Sequence, residues 1–177
     1  TEAYLNLLSP EQRAQSDAYF EGGYWLELWQ LLYSLGTSAL LLATGWSRRM
    51  RDVAQRISRR PWLSTALYAA MFLLATQLIS LPLSIYTEHF REHAYGLSTQ
   101  SLGAWLGDQA KGSAVALVIM PLAIAGLYAL LRRTGERWWL YAGMAGFALI
   151  LFVSMIAPVF IAPLFNDYKP LPAGSGL

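Results

Sequence analysis

No cysteine occurs among the 177 residues of the chain. That absence excludes disulfide bridges, thiol catalysis and cysteine-ligated zinc. Charge is scarce as well. Asp, Glu, Lys and Arg make up 14% of the sequence, against about a quarter in soluble domains. Histidine occurs only twice, at His89 and His93. Phosphate-binding loops, dinucleotide fingerprints and the G-x-S-x-G elbow of serine hydrolases are missing too. What is abundant is apolar: 55% of residues are hydrophobic. An excess of that size over charge marks a membrane protein. The chain opens on Thr1 rather than methionine, which points to processing or to a longer parent.

Four apolar stretches are long enough to cross a bilayer as helices, which takes about 20 residues each. They run over about 25–44, 62–86, 113–131 and 138–164. Backbone inside lipid must satisfy its own hydrogen bonds, so helix is the expected form. Trp25, Trp46, Trp62, Trp138 and Trp139 stand near the span ends, where amphipathic rings form an interfacial belt. Pro82, Pro121, Pro158 and Pro163 lie inside spans and are expected to kink them. Ala142 and Gly146, one helical turn apart, make a small face for close helix packing. The expected fold is all-α: a single polytopic transmembrane bundle of about four spanning helices. A short amphipathic interfacial helix is added over about 98–111, capped by Ser98 or Thr99, with Leu102, Trp105 and Leu106 on one face.

The connecting segments differ in charge. Residues 46–61 carry six arginines and one aspartate, and residues 132–137 carry three arginines and one glutamate. The first 24 residues have four acids and one arginine. The positive-inside rule places both arginine loops in the cytoplasm, with the termini and residues 87–112 on the other side. Anionic headgroups, not nucleic acid, are the expected neighbours of the arginines.

Chemistry is sparse. His89-Phe90-Arg91-Glu92-His93 fits the H-x-x-E-H pattern of one class of zinc peptidases. Histidines four apart share a helix face and could reach one ion. Catalytic zinc, however, takes three protein ligands and an open position for water. With no third histidine and no cysteine, the pair reads as polar residues just outside a span, and no metal site is expected within the chain. Glu27 is the only acid inside an expected span, and Gln30, Thr76 and Gln77 are polar without charge. Gln77 is expected to bond across helices.

Two stretches are more specific. FREHAYGLSTQSLGAWLGDQAKG spans residues 90–112 and follows LPLSIY; PVFIAPLFNDYKPLPAGSGL spans residues 158–177. Together they resemble the N-terminal multi-helix membrane region of the CAAX prenyl protease 1 family, membrane-embedded zinc metallopeptidases. Leu81, Pro82, Ser84 and Tyr86 match the exit of a span in that family. Glu92, Gly96, Gln100, Leu102, Gly103 and Asp108 match the segment that follows. Ile161, Ala162, Pro163, Leu164, Phe165, Pro170, Leu171 and Gly174 match its closing pattern.

The resemblance implies a membrane wall against which a zinc-bearing catalytic domain closes. Glu92, Gly96, Gln100 and Asp108 would face that domain or the substrate chamber, and residues 165–177 would lead into it. The family's H-E-x-x-H and downstream glutamate are not in this sequence. Zinc is therefore expected only in the full-length protein, and the 177 residues alone are expected to be inactive. Implied partners are the lipid bilayer, the catalytic domain and a peptide or membrane-protein substrate. In eukaryotic relatives the segment matching 90–112 lies on the cytosolic side, opposite to the side the arginines give. A bacterial inner-membrane member with a periplasmic protease face reconciles the two. The alternative is a non-enzymatic membrane scaffold, partner-binding protein or transporter fragment.

Overall fold

The computed structural model describes residues 9–164, and within them every regular element is helical. Helix α1 spans Pro10–Ala43, α2 Trp46–Ile57, α3 Pro61–Ser84, α4 Leu102–Thr134 and α5 Trp138–Ile156. Beyond Ser84 the α3 helix continues through a π-helical turn, Ile85–Phe90, and one last α turn, Arg91–Ala94. A second π segment, Ala157–Ile161, and a 3-10 turn, Ala162–Leu164, extend α5. The second π segment contains Pro158, and Pro82 stands three residues ahead of the first. At Pro158 the missing N–H frees a carbonyl of the preceding turn, and local widening of the helix can re-satisfy such a group. Pro121 instead lies buried inside an uninterrupted α4.

Among the described residues, three helical stretches are long and apolar enough to cross a membrane: Pro10–Ala43, Pro61–Ala94 and Leu102–Ile161. The expected third and fourth spans both fall in the last, which is 60 residues long. A straight helix of that length would measure about 90 Å, three times a hydrocarbon core of about 30 Å. The 3-10 turn Gly135–Arg137, with Gly135 at φ +53°, divides it. Helix α5 touches α4 yet buries none of its own residues. Along its first half Ala142 and Gly146 are the half-buried positions.

Small side chains hold the bundle together. Ala66 and Ala69 of α3, Ala54 of α2 and Ala125 of α4 are buried, with Thr37 and Leu41 of α1. Lipid offers apolar side chains no drive to leave it, so helices associate where small residues let backbones approach. The tightest packing is between α3 and α4. Phe147, Ile150, Phe152 and Met155 of α5 are left facing outward, as lipid-facing residues do.

Two sequence expectations change. Residues 46–57 form a helix, α2, rather than a plain loop. Trp46, Met50, Val53, Ala54 and Ile57 share one face and the arginines take the other. Residues 98–111 do not form a separate interfacial helix. The N-cap is Ser101, whose Oγ accepts from Ala104 N, and the helix runs from Leu102 to Thr134 without a break. Nothing between Gly112 and Ser113 stops it, so the amphipathic turns continue directly into the apolar part of the same helix.

Candidate functional site

Three helices run past their apolar segments on the same side. Helix α1 starts at Pro10, about 15 residues ahead of the expected span, so it projects about 22 Å. Its start is fixed by a capping box: Gln12 N donates to Ser9 Oγ, Ser9 N donates to Gln12 Oε1, and Pro10 takes the first turn. The α3 extension, 87–94, adds about 12 Å, and the front of α4, 102–112, about 16 Å. Counted from the span ends expected from the sequence, those lengths exceed a headgroup layer, which is about 5–8 Å deep on each face. The site is built where the three projections meet.

Tyr19 of α1 donates its hydroxyl to Glu92 Oε1 at 2.8 Å. Arg91 donates a guanidinium N–H to the Tyr19 carbonyl and lies 4.1 Å from the centre of the Tyr19 ring. Tyr95 closes the cluster, edge-on to Tyr19 at 5.1 Å between ring centres. One tyrosine is thus held by a carboxylate at its tip and a cation over its face, worth about 1 kcal/mol for the latter. Gly96 ends the α3 extension at φ +71°. Gly96 N donates to His93 O and Leu97 N to Glu92 O, the paired bonds of a Schellman cap. The left-handed cap is why glycine stands at 96.

His89 is buried, and its ring lies 4.3 Å from that of His93 and 6.2 Å from that of Trp105, centre to centre. His93 Nδ1 is 2.8 Å from the His89 carbonyl and donates to it, while His89 Nδ1 has no partner. Trp105, also buried, is how α4 reaches this cluster. Gln109 Nε2 donates to Glu88 Oε2 at 2.7 Å and ties α4 to the α3 extension a second time. Gln100 Nε2 donates to Asp108 Oδ2 at 2.7 Å, and Lys111 Nζ to Asp108 Oδ1 at 2.8 Å. Asp108 precedes the apolar part of α4, and its bonds from Lys111 and Gln100 hold its carboxyl below the ordinary 3.8.

The residues singled out in the sequence do gather at this end, in separate roles. Glu92 bonds α1, Gly96 caps, Gln100 and Asp108 fasten the loop to α4, and His89 with His93 packs on Trp105. Tyr19, Arg91, Tyr95, Glu88 and Gln109 were not foreseen. Nothing in the local sequence joins Tyr19 to a residue 73 positions away. Beside the cluster, between α1 and α3, lies a cleft of about 240 Å³ lined by Gln30, Ser34, Ser80, Ser84, Thr87 and Glu88. Tyr33 OH donates to Ile79 O at its wall. Glu27 is exposed. Gln77 does not bond across helices as expected through its carbonyl, since the buried Oε1 has no partner.

The residues present do not fit a zinc site. Among the described residues no three His, Asp or Glu side chains gather to hold an ion. The matching residues Phe165, Pro170, Leu171 and Gly174, and the 165–177 segment as a whole, lie outside the described residues.

Residues 2–167 match a family model described as CAAX prenyl protease N-terminal, five membrane helices. A Bacillus subtilis (strain 168) protein called an uncharacterized metalloprotease, YhfN, is 31% identical over 75% of this chain and 31% of its own length. The CAAX prenyl protease 1 homolog of Arabidopsis thaliana is 28% identical over 96% of this chain and 42% of its own. The crystal structure of S. mikatae Ste24p superposes with a TM-score of 0.77 at 21% identity, covering 94% of this chain and 40% of that one. The chain therefore spans less than half the length of these relatives.

Proposed function

Because the chain belongs to the CAAX prenyl protease N-terminal family, we propose that it is the membrane wall of a zinc metalloendopeptidase. The catalytic domain docks on the end where α1, α3 and α4 project. One observation carries this reading. Around the bonded cluster of Tyr19, Arg91 and Glu92 and the packing of His89 on Trp105, the side chains of Phe90, Leu97, Leu102 and Leu106 stay uncovered. They lie on projections that clear the headgroups, where water is the alternative to a partner. Uncovered apolar side chains grouped at an aqueous end mark an interaction surface, and the buried, unpartnered His89 Nδ1 sits in its middle.

The division of labour follows from the residues. This region supplies position, a shaped wall and a route from the bilayer. The docked domain supplies zinc, held by two histidines and a carboxylate in the pattern of such peptidases, and the activated water. The polar cleft beside Glu88, entered from the docking end, is a path for an extended substrate segment. Membrane or misfolded proteins are the substrate class for a bacterial inner-membrane member, with the arginine helix α2 and the turn at 135–137 in the cytoplasm.

A photo-crosslinking amino acid placed at Gln100, and separately at Ser58, tests this in cells expressing the native gene. The expected product at position 100 is a crosslink to a segment carrying H-E-x-x-H, with none from position 58. A crosslink from position 100 only to lipid or to unrelated proteins would support the scaffold reading instead.

A further inference from the structure

At the opposite end of the bundle, under α2, lies a cavity of about 620 Å³, within the range of small-molecule sites. Its rim is Ser47, Arg48, Arg51 and Gln55, all on one face of α2. Its depth is walled by Phe72 and Leu73 of α3 and by Met120 and Ile124 of α4. Ser47 Oγ and Tyr68 OH are hydrogen-bonded at 2.8 Å, which pins α2 over the opening. The arrangement is unusual in charge. Two arginines line the mouth of a mainly apolar hole while Trp46, Val53 and Ile57 of the same helix are exposed on its other side.

Neither arginine is well neutralised by the protein. Arg51 meets Asp52 at 3.3 Å, but both side chains are more than half exposed, and such pairs contribute little. Arg48 makes no ion pair among the described residues. The lining descends α3 from Ser64 to Thr76, about 18 Å of helix rise. One leaflet of a hydrocarbon core is about 15 Å deep. A cationic rim at headgroup level above an apolar groove one leaflet long is complementary to one class of molecule.

We propose that this cavity binds an anionic phospholipid, its phosphate between Arg48 and Arg51 and one acyl chain along Phe72, Leu73, Met120 and Ile124. Bound there, the lipid bridges α2, α3 and α4 and fastens the arginine helix to the bundle. The site lies at the other end of the helices from the docking surface and stands whether or not that surface receives a catalytic domain.

The test uses the protein expressed from its whole reading frame, purified and delipidated in detergent, with bound lipid counted by native mass spectrometry. Phosphatidylglycerol, phosphatidylcholine and inorganic phosphate are the probes. One retained phosphatidylglycerol is expected, with phosphatidylcholine held at least about tenfold more weakly. The pair Arg48→Gln/Arg51→Gln should reduce retention by about tenfold or more. The pair Arg49→Gln/Arg60→Gln, which removes equal charge outside the cavity, should leave it nearly unchanged. Met120→Trp narrows the groove with both arginines intact and should also reduce retention, which decides the matter if the Arg48/Arg51 variant loses its helical circular dichroism. Equal loss in the two arginine pairs, equal binding of the two lipids, displacement by millimolar phosphate, or an unaffected Met120→Trp variant would each overturn the proposal.

Discussion

Tyr19 and Glu92 give the sharpest test of how α1 is held, because they are 73 positions apart and joined by one hydrogen bond of 2.8 Å. Tyr19→Phe removes the hydroxyl and keeps the ring under Arg91. Glu92→Gln removes the charge and keeps an acceptor. A hydrogen bond to a charged group contributes about 1.5–3 kcal/mol. Both side chains are half-buried, and solvent screening brings the expected coupling down to about 1 kcal/mol. The four proteins of the double-mutant cycle are unfolded by titration in mixed micelles. Each single variant should lose about 1 kcal/mol, and the double variant clearly less than their sum. Simple additivity, with Tyr19→Phe costing the same in the Glu92→Gln background, would refute the bond as a link between α1 and α3.

Gly96→Ala should destabilise the protein by about 1–2 kcal/mol through its left-handed cap, read in the same micelle titration, with Gly96→Asn milder. Asp108 is held below its ordinary value by Lys111 and Gln100. Its contribution is therefore present above the unfolded-state value and lost as pH falls through the folded one. Hydrogen exchange at residues 100–108 should accelerate relative to the intrinsic rate as pH is lowered from about 5 to below the ordinary 3.8, and Asp108→Asn should abolish that dependence. For orientation, Ser58→Cys and Ser101→Cys are labelled in intact cells with an impermeant thiol reagent. Labelling is expected at 101 and not at 58; the reverse pattern would invert the topology.

The helices were legible because a bilayer imposes few rules. Runs such as Trp62–Tyr86 are too long and too apolar to be anything else. Charge counting found the arginine segment at 46–61 but missed that it is a helix, although Trp46, Met50, Val53, Ala54 and Ile57 already carry the helical period. The short helix expected over 98–111 is the front of the longer helix Leu102–Thr134, although Gly103, Gly107 and Gly112 weaken the helix there. Burial of Trp105 on His89, and the Asp108–Lys111 pair one turn on, hold that stretch helical instead. Glu92 and Gly96 are singled out by the family resemblance, and the structure gives them a bond to α1 and a helix cap. Their partners could not be, since the Tyr19 contact depends on how far α1 extends beyond the membrane, which no local pattern states.

The zinc content of the purified 177-residue chain, measured by inductively coupled plasma mass spectrometry beside that of the protein expressed from its whole reading frame, addresses the central proposal most directly. Expected is substoichiometric zinc on residues 1–177, unchanged by His89→Ala, and about one zinc per full-length protein. Stoichiometric zinc on the 177-residue chain that disappears with His89→Ala would contradict it and return the metal to the His89–His93 pair.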